Sequence, residues 1–326
     1  MGSRRMTFGQ ATLEAMQYAM DEDPNVVVIG EDISWGGNFG QFNGLVDRYG
    51  HDRIVDMPIS EALIVAMAVG ASAAGLKVVA SMSFVEFTLG AMDEIVNQAA
   101  KFRYMFGGQV SVPIVLRASD GVRGSSGAQH SSSLEAMFCN VPGLKVVVPS
   151  NADDAKGLLR AAIADPDPVV YLEHKQITGQ RSAVVEGDHV VPLGLANVAR
   201  PGTDITVVTY SNMVNHALVA AEELAVLGVS VEVIDLRSLV PLDVATVARS
   251  AARTGIVLAA HESWTFGGFG AEVIAQVREA VPDQSSLRTY RLGARAAPIP
   301  FSPALESAIV PGAAELVVEI RRILDV

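Results

Sequence analysis

Short apolar runs without polar alternation recur along the first half of the chain, at 26–29, 77–81, 112–116, 145–148 and 169–172. Strands lacking a polar face are covered on both sides, so each reads as a strand of a buried parallel sheet. Between them the apolar spacing turns helical, over 8–20, 61–75, 88–106 and 153–164. In 88–106, Met92, Ile95, Val96, Ala99 and Phe102 fall on one face, and the run stops at Gly107 and Gly108. Alternation of this kind predicts an α/β fold, a parallel sheet with helices on both faces. After Tyr171 turn residues gather, 178–194 is poor in helix signals, and Arg200-Pro201-Gly202 punctuates again. The pattern then resumes with strand 205–210, helix 212–227, and strands 230–235 and 254–260. Two α/β domains are expected, 6–177 and a smaller 203–326, joined by a linker over 178–202.

The longest uncharged apolar stretch is 62–76, between Glu61 and Lys77. It falls short of the roughly 20 residues a bilayer span needs and predicts a buried core helix. Ala66, Gly70 and Ala74 recur at four-residue spacing, a stripe without bulk that lets another backbone approach, from this chain or from a partner.

Composition narrows the class. Of 326 residues, 50% are hydrophobic and 18% charged, which excludes disorder and removes any need for disulfide or metal staples. Acidic residues outnumber basic ones by 36 to 24, a formal charge of -12, so nucleic acid and anionic membranes are not expected partners. A single cysteine, Cys139, forbids an internal disulfide and suits a reducing compartment, the cytoplasm if the source is bacterial. No apolar signal core follows the basic start, and Met1-Gly2-Ser3 has the look of an expression remnant.

Two segments carry candidate chemistry. In Met57-Pro58-Ile59-Ser60-Glu61, Ser60 is a natural helix N-cap and Pro58 fixes the entry. Glu61 is then either a helix-start carboxylate favoured by the macrodipole or a site acid whose ionisation is perturbed by apolar surroundings. The second segment, SDGVRGSSGAQHSSS at 119–133, marks a loop at the carboxyl end of a buried strand, where open α/β sheets place ligands. Ser132 and Glu135 have capping-box spacing, which predicts a helix starting just after His130. His130 is either a polar residue ahead of that helix or a site imidazole that titrates near neutrality. The segment fits neither a phosphate-binding P-loop nor a GxGxxG element, and no HExxH or paired CxxC occurs anywhere.

Matching text is spread over almost the whole chain: IGEDI (29–33), YGHDRIVDMPISE (49–61), AVGASAAGLKVV (68–79), DEIVNQAAKFRYMFGG (93–108), GAQHSSSLEA (127–136), PGLKVVVPSNADDAKGLL (142–159), VEVIDLRSLVPLD (231–243), HESWTFGGFGAE (261–272) and PIPFSPALE (298–306). Together these resemble the beta subunits of heterotetrameric 2-oxoacid dehydrogenase E1 components. The resemblance implies a transketolase-like pyrimidine-binding domain followed by a transketolase-type C-terminal domain. It implies thiamine diphosphate, with Glu61 facing N1′ of the aminopyrimidine, where a held proton favours the imino tautomer. It places Phe87 beside the pyrimidine, Ile59 at an apolar contact, Glu31 near the cofactor, and His130 facing the reacting centre, steering substrate or assisting acyl transfer to lipoyl. A structural potassium ion is implied at Ile114, Ala162, Ile163, Asp165 and Asp167, mainly through backbone oxygens. For Asp165-Pro166-Asp167-Pro168, a plain turn after a helix is the alternative.

Thiamine-diphosphate enzymes usually hold magnesium and diphosphate through Gly-Asp-Gly followed by a downstream Asn, and this chain has no Gly-Asp-Gly. The resemblance therefore implies that an alpha subunit holds both, in an α2β2 assembly that serves a lipoyl-bearing E2 acyltransferase. Met57 stands where threonine is common, Gly90 replaces a larger residue, and 83–90 is individual. NQAAKFRYMFGG at 97–108 also resembles acetoin dehydrogenase beta subunits. Pyruvate, a branched-chain 2-oxoacid and acetoin are the candidate substrates. A split transketolase and a non-catalytic scaffold are the other classes, the former requiring basic residues for sugar phosphates that form no evident cluster here.

Overall fold

A computed structural model describes residues 2–281 and 286–326. The chain forms two compact units, one from Met1–Asp120 and Met137–Leu193, the other from Gly121–Ala136 and Gly194–Val326. Segment 121–136 thus interrupts the first unit in sequence and belongs to the second in space.

In the first unit, parallel strands Val26–Gly30, Ile54–Asp56, Lys77–Phe84, Ile114–Asp120, Lys145–Val147 and Val169–His174 share one sheet. Val26–Gly30 lies between Ile54–Asp56, the next strand in the chain, and Lys77–Phe84, the one after. The connections that leave Val26–Gly30 and Lys77–Phe84 therefore run in opposite directions, and a topological switch point opens between these two strands. Helices Phe8–Glu22 and Ala152–Ala164 bury Ala15, Met16, Leu158 and Leu159 against Val28, Val79 and Tyr171. Thr7 and Gln10 close a reciprocal capping box at the start of Phe8–Glu22, with hydrogen bonds of 3.0 and 3.1 Å. Asn151 caps Ala152–Ala164 through the Asp154 N–H at 3.0 Å.

The second unit repeats the principle in the order Arg288–Ala294, Ile256–Trp264, Ile205–Thr209, Val231–Asp235, Asn197–Arg200. All pairings are parallel except that of the edge strand Asn197–Arg200. Its switch point lies between Ile205–Thr209 and Ile256–Trp264. Helices Asn212–Val226 and Ala313–Leu324 pack Ala217, Leu224, Leu316 and Ile320 onto Val207, Val233 and Leu258.

Several local expectations change. The 88–106 helix is three pieces: a 3₁₀ turn Val85–Ala91, a π-helical turn Glu94–Ala99 and the α-helix Ala100–Met105. The 3₁₀ and π-helical turns leave the α register, which periodicity alone does not report. The 178–202 stretch carries strand Arg181–Val185, antiparallel to Ser3–Thr7, and strand Asn197–Arg200. Helix formation after His130 waits until Glu135–Cys139, because Ala128–His130 takes a 3₁₀ turn instead. Among the described residues no helix is long and apolar enough to cross a membrane.

Candidate active site

Three neighbouring strands deliver the candidate residues of the first unit. Glu31 follows Val26–Gly30, Glu61 opens helix Glu61–Ala73 just beyond Ile54–Asp56, and Phe87 follows Lys77–Phe84. All three follow the carboxyl ends of their strands, Glu31 and Phe87 on the two strands that flank the switch point and Glu61 beyond the strand next to Val26–Gly30, on the side where α/β sheets bind ligands. Met57 N–H donates to the Gly30 carbonyl at 2.8 Å, which ties the entry of the Glu61 turn to the foot of Glu31. Asp56 accepts from Ser34 N–H at 2.9 Å and from the Ser34 hydroxyl, anchoring the loop after Glu31 to the same edge. Gly30 is required here: a Cβ would lie 2.8 Å from Ser81 Cβ and 2.9 Å from its carbonyl oxygen.

Electrostatics place the two acids in one field. Burial raises the Glu31 carboxyl above its ordinary value, and the charges of Glu61 and Asp32 add to the rise. Glu61 faces the 3₁₀ turn, since a Cβ on Gly90 would meet its Cβ at 3.7 Å and Oε2 at 3.8 Å. Phe87 is held edge-on to Phe84 at 5.5 Å, and Phe84 in turn to Phe39 at 5.6 Å. Behind them the buried Lys175 ammonium sits 5.0 Å above the Phe84 ring and 3.8 Å from Glu86. Sequence reasoning passed over Lys175; the available signal was a polar run, Glu173-His174-Lys175, closing an otherwise apolar strand.

Ile59 is 81% exposed, a large aliphatic presented beside the acids rather than buried. Helix Glu61–Ala73 buries Ile64, Val65, Ala68 and Val69 and leaves Leu63, Ala66, Met67 and Gly70 outward. A Cβ added at Gly70 would meet nothing within 4 Å, so the small-residue stripe lies open in this chain.

His130 stands in the second unit, half-buried at the end of the Ala128–His130 turn. Its segment is closed by a 2.8 Å hydrogen bond from Gly121 N–H to the Ser132 carbonyl.

The residues expected around potassium meet at another place in the first unit. Val112 N–H donates to the Pro166 carbonyl at 3.2 Å, bringing the start of strand Ile114–Asp120 to the turn after helix Ala152–Ala164. Ala162 and Ile163 lie in the last turn of that helix, and the Ala162 carbonyl accepts from Asp165 N–H at 3.3 Å. The two carboxylates are already balanced: Lys145 Nζ lies 2.6 Å from both Asp165 oxygens and 3.4 Å from Asp167, and Arg103 reaches Asp167 at 2.5 Å.

Comparison with known proteins matches residues 4–180 to the model described as "Transketolase, pyrimidine binding domain", and 194–316 to "Transketolase, C-terminal domain". The acetoin:2,6-dichlorophenolindophenol oxidoreductase subunit beta of Cupriavidus necator is 40% identical over 98% of both chains. The chain belongs to the E1 beta-subunit family. The mitochondrial pyruvate dehydrogenase E1 component subunit beta-2 of Oryza sativa subsp. japonica is also 40% identical, over 97% of this chain and 85% of its own. A split-gene transketolase, solved as an inactive beta4 tetramer, shares the fold with a TM-score of 0.77, 24% identity and 98% coverage of each chain. The two-domain transketolase-like α/β architecture expected from the sequence is therefore the architecture of this E1 beta-family chain.

Proposed function

We propose that the chain is the beta subunit of a thiamine-diphosphate-dependent E1 enzyme. It decarboxylates a 2-oxoacid, pyruvate or a branched-chain acid, and passes the acyl group to lipoyl on an E2 acyltransferase. The observation that carries this reading is the convergence of Glu31, Glu61 and Phe87 at the switch point of the domain matched as pyrimidine-binding. The residues present fit the cofactor's aminopyrimidine: a carboxylate for N1′, an exposed aliphatic at Ile59 and an aromatic edge at Phe87. When bound, thiamine diphosphate supplies the ring that takes up the electron pair released on decarboxylation. Glu61 holds a proton at N1′ and so governs the tautomer of the 4′-amino group. Glu31, whose carboxyl burial holds above its ordinary value, would lie near the cofactor beside Glu61. Phe87 and Ile59 would supply apolar contacts to the aminopyrimidine. His130 steers the substrate or assists acyl transfer.

Magnesium and the diphosphate fall to an alpha subunit, consistent with a chain that has no Gly-Asp-Gly. An α2β2 assembly accounts for the open small-residue stripe at Gly70 and for the exposed Leu63, Met67 and Ile59. A structural potassium ion on the oxygens of Ile114, Ala162, Ile163, Asp165 and Asp167 belongs to the same reading, as does a bacterial cytoplasmic setting. A second reading, dye-linked acetoin cleavage, is favoured by the relative from Cupriavidus necator.

The test mixes this chain with an alpha subunit bearing Gly-Asp-Gly, adds cofactor and magnesium, and follows dye reduction with 2-oxoacids, acetoin and a sugar phosphate. Glu61→Gln is expected to lower turnover by ~10²–10⁴ while leaving assembly intact. Near-wild-type turnover in that variant, or full activity from this chain alone, refutes the reading.

A further inference from the structure

The switch point of the second unit, the counterpart of the one that gathers Glu31 and Glu61 in the first, is filled by the chain itself. Strands Ile205–Thr209 and Ile256–Trp264 end there in Tyr210 and in His261, Glu262 and Ser263. In sheets of this type that crevice ordinarily receives a ligand. Here it receives 121–136, the excursion that carries His130.

The excursion is gripped at both ends. Near its start, Val122 N–H donates to Glu262 Oε1 at 2.6 Å. Near its finish, the Ser133 hydroxyl donates to the same oxygen at 3.2 Å, and Glu135 accepts from the Tyr210 hydroxyl at 2.5 Å. His130 lies between the two grips. The clamp is itself rigid. Tyr210 stacks on His261, with centroids 6.2 Å apart and planes 17° from parallel. His261 is fully buried, its Nδ1 against the Ser263 carbonyl at 3.0 Å. Its ring is seated where no side chain would fit: a Cβ on Gly268, Gly270 or Gly293 would come within 2.4, 2.7 or 2.8 Å of it. Glu135 is buried as well. Two buried or half-buried acids spent on one surface excursion are costly to desolvate unless their geometry serves a purpose.

We propose that Glu262 and the Tyr210–Glu135 pair are positioning residues for His130, with the switch-point crevice of the second unit serving as a cradle for the 121–136 excursion. The proposal rests on the role given above to His130. It does not depend on Glu61.

Variants are tested in the complex reconstituted with an alpha subunit, cofactor and magnesium. Glu262→Ala removes the bonds from Val122 and Ser133 at once while leaving the Tyr210–Glu135 bond, and Glu262→Gln keeps a carbonyl oxygen able to accept from Val122 and Ser133. Loss of hydrogen bonds to a charged acceptor leads us to expect kcat/KM to fall about ten- to a hundredfold in Glu262→Ala. Most of it should return in Glu262→Gln, with thiamine diphosphate affinity unchanged throughout. In a His130→Asn background, Glu262→Ala should then have little further effect, because coupled residues are non-additive. Tyr210→Phe, which deletes one hydroxyl without opening the core, should follow the same pattern at smaller amplitude. An additive loss on top of His130→Asn, a parallel loss of cofactor affinity, or no loss at all overturns the proposal.

Hydrogen exchange of 123–132 in the isolated chain separates the two claims. Faster exchange confined to that stretch in Glu262→Ala supports the cradle even if Glu61→Gln proves fully active. Unchanged exchange overturns it even if Glu61→Gln is dead.

Discussion

The buried ion pair beneath the first unit's sheet allows a quantitative test of how that unit is held together. Arg117, in mid-strand of Ile114–Asp120, meets Glu173 of Val169–His174 through two parallel bonds, Nε to Oε2 at 2.8 Å and Nη2 to Oε1 at 2.9 Å. Nη2 also donates to the Thr12 hydroxyl on helix Phe8–Glu22 at 2.8 Å, and the guanidinium lies 5.1 Å from the Phe42 ring. Both partners are buried, so the pair joins sheet, helix and the 33–45 loop where water cannot take over. Arg117→Met keeps an apolar stem and removes the charge, leaving Glu173 as an uncompensated carboxylate. The expected loss is about 3–5 kcal/mol. For a unit of this size roughly 2–4 °C of Tm accompanies each kcal/mol, so the melt should fall by about 6–20 °C. The double variant Arg117→Met with Glu173→Leu should recover most of that, because the cost lies in the stranded charge rather than in the lost pair. Circular dichroism melts of the three chains decide the matter. A single-variant loss within ~2 °C of wild type, or a double variant no better than the single, would show that the carboxylate finds solvent and that the sheet is not closed there.

Glu31 is held above its ordinary value of 4.5, so the folded chain binds the extra proton and its ionised form costs stability at neutral pH, a cost that vanishes once both states are protonated in acid. Glu31→Gln should therefore melt above wild type at pH 7, with the gap closing as pH falls through about 4; a gap that widens in acid contradicts the burial of this acid. If the helix end at Ala162 and Ile163 holds potassium, exchanging choline for potassium should raise Tm, by roughly 5–10 °C at a hundredfold excess over Kd, and equal melts in the two salts dismiss the site.

Much of the candidate site was legible from residue order. A proline before Glu61 and an unbroken apolar helix after it mark where that carboxylate enters and on which element it rides, while Ser60 takes the N-cap position without a side-chain capping bond. The buried strands were visible because they lack polar alternation, and the helices Phe8–Glu22, Ala152–Ala164 and Asn212–Val226 because their apolar spacing is helical, with side-chain caps from Thr7 and Asn151 on the first two. These are short-range properties, set by the chemistry of residues a few positions apart. Strand order is not of that kind. That Glu31 and Phe87 flank one switch point depends on Lys77–Phe84 pairing with Val26–Gly30 from the side opposite Ile54–Asp56. The broken 85–105 segment likewise follows from the turn it must make beside Glu61 rather than from its own periodicity.

The sequence by itself determined an α/β chain of two domains, with an acid at a helix mouth and a histidine in a glycine-rich loop. Only the tertiary structure decided that this loop belongs to the second unit, pinned by Glu262 and Tyr210 from strands that follow it by many residues. The reason is physical. A loop rich in glycine and serine has no preferred conformation of its own, so its course is set by whichever distant groups satisfy its backbone, and no local pattern records which those are.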